Sequence, residues 1–225
     1  MRYTVLATDY DGTLAKDGVV PAETIDALSR FRQSGRRSVM VTGREIQDLE
    51  TVFSRFDLFD CIVAENGAVL YWPQRCERRL LAHAPDPLFV EALKDREVYP
   101  LALGDVIVAT VRPNDVAVAE IIEELKLPLQ IILNKGSVMI LPQHVNKMTG
   151  LTAVLKDWDV SESAVVGVGD AENDLAFLVR CGFSAAVANA LPSVKEIATL
   201  TTKASHGAGV AELIETILRP TAYQR

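Results

Sequence analysis

Along the first third of the chain, short apolar runs alternate with stretches whose apolar residues recur every three or four positions. The short runs suit buried strands, and the longer period suits helices with one buried face. On that reading residues 3–8, 38–41 and 61–64 are strands. A helix opens at Pro21 and ends at Gly35, the usual places for those two residue types. A second helix runs over 45–56. The resulting β-α-β-α-β order predicts a parallel sheet with helices on its faces. ENGAVLYWP, residues 65–73, reads as a turn into another strand, in a hairpin with residues 78–82.

From APDP at 84–87 the texture changes. A helix over 88–96 is followed by strands over 97–103 and 105–111, then a helix over 115–125. Strands over 130–133 and 137–141 flank NKG, a tight-turn signal. This α-β-β-α-β-β order predicts two helices on one face of a small antiparallel sheet. Beyond Pro142 the first texture returns. Helices are expected at 149–158, 171–180, after Pro192 and at 210–218, with strands at 164–168 and 183–187. The expected fold is therefore α/β: a doubly wound, Rossmann-like parallel-sheet core from residues 1–84 and 143–225. An α+β domain, residues 85–142, is inserted into it between prolines that suit stiff hinges.

Composition bounds the function more than the fold. With 225 residues, 49% of them hydrophobic and 24% charged, the chain can bury a core without disulfide or structural-metal support. A formal charge of −7 argues against a nucleic-acid partner, which needs a concentrated basic surface. The nearest approach to one, Arg75, Arg78 and Arg79, reads as a solvated face. Three scattered cysteines lack ligand spacing, and neither a leader nor a membrane-length apolar run is apparent. A reducing, cytoplasmic setting is expected, with no membrane partner. The sequence leaves monomer and homodimer open.

In open α/β sheets, ligands bind beyond the carboxyl ends of the strands. The segments that follow the predicted strands are DYDGT (9–13), TGR (42–44), ENG (65–67) and GDAEND (169–174). Asp9, Asp11, Asp170 and Asp174 are thereby expected at one rim. Like charges are costly to gather out of water unless a cation or a proton intervenes. Hard carboxylate oxygens suit Mg²⁺, which takes one or two of them directly and keeps several waters. Thr42, Lys147 and Asn173 add a hydroxyl, a cation and an amide, groups that hold phosphate oxygens. A phosphoryl group between metal and lysine is the guest this set would take. Each segment alone has a plainer reading: a capped turn for DYDGT, the acidic first turn of a helix for GDAEND. Four of them, each after its own strand, point to a site. His83, His144 and His206 are isolated and read as surface residues. VGVGDAEN lacks the complete dinucleotide-binding fingerprint.

These motifs resemble those of the haloacid dehalogenase-like phosphatase superfamily, and specifically its Cof-type branch with a late-inserted cap. The resemblance rests on DYDGTL (9–14), Thr42 in VTGR, Lys147 in HVNKMTGL and GDAEND, with ENGA (65–68) and VANA (187–190) beside them. The insert looks like the smallest form of that family's cap, as in archaeal phosphoglycolate phosphatases and sucrose-phosphate phosphatase relatives. The resemblance implies that Asp9 is the nucleophile, forming an aspartyl-phosphate, and that Asp11 is the general acid and base. It implies Mg²⁺ held by Asp9, the backbone carbonyl of Asp11 and Asp170, with Asp174 ligating or bracing. Thr42, Lys147, Asn173 and the backbone of Gly43 would bind the transferring group. The expected activity is hydrolysis of a small phosphate monoester, phosphoglycolate or a sugar phosphate. Phosphomannomutase-type transfer and catalytically idle binding of a phosphometabolite are the alternatives. Arg112, Asn134 and Lys135 are polar residues the insert could aim at a substrate, though each reads first as an ordinary exposed residue.

Overall fold

A computed structural model describes residues 3–219. Its larger sheet has eight strands. Three near the start are β1 (Val5–Thr8), β2 (Arg37–Val41) and β3 (Cys61–Ala64), followed by the hairpin β4 (Val69–Trp72) and β5 (Glu77–Leu80). Three more come from the last third, β10 (Val165–Gly169), β11 (Phe183–Ala186) and β12 (Leu200–Thr201). Their spatial order is β12-β11-β10-β1-β2-β3-β4-β5. The first six are mutually parallel, and β4 and β5 add an antiparallel margin.

From β1 the chain winds one way through α1 (Ala22–Gln33) into β2, and from β10 the other way through α6 (Leu175–Leu178) into β11. Right-handed crossovers in opposite directions place their helices on opposite faces, which makes the sheet doubly wound. On one side α1 packs on α8 (His206–Leu218); on the other α6 packs on α5 (Lys147–Asp157) and α7 (Pro192–Ile197). Strands β1, β3 and β10 are buried along their whole length, and β2 all but its first residue, Arg37, as covered parallel strands must be. Strand order reverses where β1 meets β10, and ligands bind at such a reversal.

Between β5 and α5 lies the inserted layer. It holds α3 (Pro87–Asp95), β6 (Ala102–Leu103), β7 (Val108–Val111), α4 (Asp115–Glu124), β8 (Leu129–Asn134) and β9 (Ser137–Pro142). Its antiparallel sheet runs β6-β7-β9-β8. The two-residue side-chain period divides this sheet cleanly. Val108, Val138 and Ile140 join Phe89 and Leu93 of α3 and Val118 and Ile121 of α4 in a separate apolar cluster. Alternate residues Ile107, Met139 and Leu141 face the other way, into the core of the large sheet.

Local departures from the sequence reading have physical causes. The helix after β2, α2 (Ile46–Val52), stops short of Phe56. Phe53 turns extended there to stack near Tyr10 and Phe59, with centroids 5.6 and 6.2 Å away. The strand expected over 97–103 shrinks to Ala102–Leu103, since Pro100 has no N–H to give a ladder. The last helix begins at His206 rather than Val210. Gly207 and Gly209 are unfavourable in isolated helices, but here added side chains would strike the Leu14 and Ala204 carbonyl oxygens. The helix expected over 171–180 divides into a 3₁₀ turn, Glu172–Asp174, and the short α6.

Candidate active site

The site begins with the backbone at the end of β1. Tyr10 is fully buried in the core, its hydroxyl donating to the Gly18 carbonyl at 2.9 Å. Its carbonyl accepts the N–H groups of Leu14 and Ala15 at 2.9 and 2.8 Å, which curls the chain back at once. With Tyr10 anchored inward, the flanking Asp9 and Asp11 both line the cavity beyond the strand ends. Asp9 donates its backbone N–H to Val168 of β10 at 3.0 Å. That bond continues the β1–β10 ladder by one step and sets Asp9 beside the segment carrying Asp170.

Asp9, Asp170 and Asp174 are all buried, each offering a carboxylate oxygen within 4.8 Å of the others. Lys147 lies between them, its Nζ 2.5 Å from Asp9 and 2.6 Å from Asp174. A lysine buried to 1% exposure is sustainable only when so paired. It occupies the first position of α5, fixed by the Asn146 cap, whose Oδ1 accepts from Met148 and Thr149 at 2.9 and 3.1 Å. Asp174 is braced in turn, because its Oδ2 accepts the backbone N–H groups of Asp170 and Ala171 at 2.8 and 3.1 Å. Gly169 permits that approach, since a Cβ there would stand 2.6 Å from the same oxygen. Thr13 donates to Asp170 Oδ1 at 3.0 Å, and Lys135 of the inserted layer pairs with Asp170 Oδ2.

Three buried acids thus share two lysines. Burial, and then the neighbouring charge of Asp174, hold the Asp9 carboxyl up at about 8 although Lys147 pulls the other way. The Lys147 ammonium is held above its ordinary range, desolvation being outweighed by the two carboxylates. The cluster is short of positive charge, its donors are hard oxygens, and an ammonium from another layer already rests on Asp170. Those observations fit a divalent cation such as Mg²⁺.

Asp11 lies apart from the three. Its carboxylate accepts two parallel bonds from Arg44, at 2.7 and 2.8 Å, and Arg44 reaches Asp48 at 2.6 Å. The Asp11 side chain is committed to Arg44 and is not part of the acid cluster. Thr42 is fully buried at the end of β2, its Oγ1 accepting the Arg44 N–H at 3.1 Å. Gly43 and Asn173 line the cavity; Thr42, Lys147, Asp170 and Asp174 are buried and are not among the residues that line it. Asn173 donates through Nδ2 to Asn66 Oδ1 at 3.2 Å, leaving Asn173 Oδ1 and Asn66 Nδ2 buried without partners. The cavity measures about 860 Å³ and is roofed by the inserted layer.

Several contributors escape the sequence reading. His206, expected at the surface, lines the cavity, with Nδ1 2.9 Å from the Gly12 carbonyl oxygen. Asn189 donates to that same oxygen at 2.8 Å, so two side chains clamp the loop after Asp11. Glu65 accepts three backbone N–H groups of the inserted layer, from Asp105, Val106 and Ile107, at 2.8–2.9 Å. The ENGA and VANA segments were the available signals for Glu65 and Asn189. Of the insert's polar candidates, Asn134 and Lys135 line the cavity; Arg112 instead pairs with Asp115 at 3.6 Å.

The comparisons agree with this architecture. The chain is 29% identical to a phosphoglycolate phosphatase of Methanothermobacter thermautotrophicus, over 93% of this chain and 96% of that protein. It is 28% identical to phosphoglycolate phosphatase 2 of Saccharolobus solfataricus, over 95% and 92%. A haloacid dehalogenase-like hydrolase from Bacteroides thetaiotaomicron superposes with a TM-score of 0.83 at 20% identity, covering 96% of this chain and all of that one. The model of the haloacid dehalogenase-like hydrolases matches residues 6–97 and 107–214, a span that takes in every motif at the rim and leaves out β6 of the inserted layer. The chain belongs to the haloacid dehalogenase-like hydrolase family.

Proposed function

We propose that this hydrolase is a Mg²⁺-dependent phosphatase that cleaves a small phosphate monoester, phosphoglycolate or a sugar phosphate, through an aspartyl-phosphate on Asp9. One observation carries the reading: Asp9 opens onto the cavity while Lys147 holds it at 2.5 Å and Asp170 and Asp174 gather within 4.8 Å. The names of the relatives from Methanothermobacter and Saccharolobus support the substrate class.

Asp9 Oδ attacks phosphorus, and its new P–O bond replaces the bond to the leaving alcohol. Asp11, the second acid on the cavity wall, gives that alcohol its proton and then takes one from the water that hydrolyses the acyl phosphate. Thr42, the Gly43 backbone and Asn173 orient the transferring group, and Lys147 counters the charge gathered around Asp9. A bound Mg²⁺ would be held by Asp9, the Asp11 carbonyl and Asp170, braced by Asp174, and would supply positive charge to the phosphoryl oxygens. The inserted layer covers the reacting atoms and limits the entry of water. No helix among the described residues is long and apolar enough to cross a membrane. The free thiols of Cys61, Cys76 and Cys181 support a reducing, cytoplasmic setting.

The test is phosphate release from phosphoglycolate, sugar phosphates and p-nitrophenyl phosphate, with and without chelator. Turnover should require the metal and disappear in Asp9→Asn. Near-normal turnover in that variant would remove Asp9 from the nucleophile's role.

A further inference from the structure

We propose that Lys135 is the residue that selects a leaving group carrying a carboxylate. It rests on Asp170 while that carboxylate lacks a divalent cation, and pairs with the substrate's carboxylate once the cation has displaced it. This rests on the phosphatase reading and chooses between its two substrate classes.

The position of Lys135 is set by local geometry. It is the first central residue of the tight turn between β8 and β9, with φ +48°, followed by Gly136 at φ +99°. Positive φ at both positions is the twist-matched hairpin turn, so the side chain stands on a rigid two-residue tip. That tip reaches across from the inserted layer to Asp170, close over Gly12. Asp170 is fully buried, whereas Lys135 keeps 45% of its side chain exposed. The acid is fixed by the core, and the lysine is the partner free to move.

The rest of the roof shows why the charge matters. The inserted layer faces the cavity with Leu101, Ala102, Ile107, Ala109, Val111 and Met139, a largely apolar surface. Among the described residues lining the cavity, Lys135 is the one charged side chain this layer contributes. A cation held on Asp170 would compete for the oxygen that the ammonium now holds, and two positive centres cannot share it. The displaced ammonium then faces the leaving group from an otherwise uncharged roof. A short leaving group with its own carboxylate supplies the missing counter-charge, and a neutral sugar does not.

The experiment compares wild type, Lys135→Ala and Lys135→Arg in two assays. Calorimetric titration with MnCl₂ alone should show several-fold tighter binding in Lys135→Ala, because no ammonium competes for Asp170. Steady-state kinetics should show the ratio of kcat/KM for phosphoglycolate to that for p-nitrophenyl phosphate falling about tenfold or more, mainly through KM. Lys135→Arg should recover most of that ratio. Unchanged or weaker Mn²⁺ binding in Lys135→Ala, or an unmoved ratio, overturns the assignment. Failure of wild type to hydrolyse these esters and sugar phosphates alike would instead refute the phosphatase reading, and the assignment would fall with it; hydrolysis of sugar phosphates but not of phosphoglycolate overturns the assignment alone. Turnover of p-nitrophenyl phosphate with an unmoved ratio refutes Lys135 alone.

Discussion

The carboxylate of Glu65, at the rim of the large sheet, accepts the backbone N–H of Ile107 in the inserted layer at 2.8 Å. Asp105 and Val106 donate to the same carboxylate, and a Cβ at Gly104 would stand 2.7 Å from its carboxyl carbon. One side chain thus satisfies three successive amides where the chain turns into the roof of the cavity. Replacing Glu65 by Ala orphans those donors, and charge-assisted bonds of this kind contribute roughly 1.5–3 kcal/mol each before neighbouring water compensates. Hydrogen exchange should accelerate at Asp105, Val106 and Ile107 while amides of β1 keep their protection. Unchanged exchange at those three would show that the layer docks without Glu65.

Gly67 and Gly35 both have positive φ, at 108° and 80°. They differ in what surrounds them. A Cβ at Gly67 would collide with the Asn146 carbonyl, just before the buried Lys147, whereas nothing lies within 4 Å of one at Gly35. Gly35→Ala should cost about 1 kcal/mol of backbone strain. Gly67→Ala should add overpacking of about 1–3 kcal/mol and push α5 off its seat. Thermal unfolding of the two variants separates these terms; equal shifts would mean that Asn146 yields freely.

How much of this was legible in the sequence depends on how local each cause is. Asp9 and Asp170 could be placed at one rim because each directly follows a buried apolar run, and parallel strands end on the same side. The helix that Lys147 opens was readable to within two residues, expected from 149 and found from 147, because its apolar period is local. The two-residue strand β12 was not readable, because Leu200–Thr201 is too short to carry a period. The Arg44–Asp11 pair, the Glu65 latch and the reach of Lys135 were invisible for another reason. Each joins segments remote in sequence, and forms only when loops and layers dock.

Asp11 lines the cavity in a bidentate pair with Arg44, which also holds Asp48. If Asp11 protonates the leaving group, its importance must scale with how badly that group needs a proton. Asp11→Asn should therefore lower kcat on an alkyl phosphate by about 10²–10⁴-fold. On p-nitrophenyl phosphate, whose phenolate departs without help, the first step should be far less affected. Arg44 keeps its Asp48 partner in this variant, so circular dichroism should be unchanged. An equal loss on both esters in a burst-phase measurement would remove Asp11 from the acid's role.

The acid cluster sets a last expectation that needs no substrate. Asp9, Asp170 and Asp174 share Lys147 and Lys135, and burial with Asp174's charge holds Asp9 up at about 8. A cation that binds only the folded chain stabilises it by RT ln(1 + [L]/Kd), about 2.7 kcal/mol at a hundredfold excess over Kd. For a domain of this size that corresponds to a rise of roughly 5–10 °C in unfolding temperature. Calorimetric scans with MgCl₂ should show this rise, and scans with NaCl at matched ionic strength should not. Asp170→Asn removes one ligand charge and also the partner of Lys135, so it should abolish the Mg²⁺ response while leaving the cooperative transition intact. A Mg²⁺ shift of undiminished size in Asp170→Asn would place the cation elsewhere, because Asp170 is the one acid of the cluster that Lys147 does not already hold.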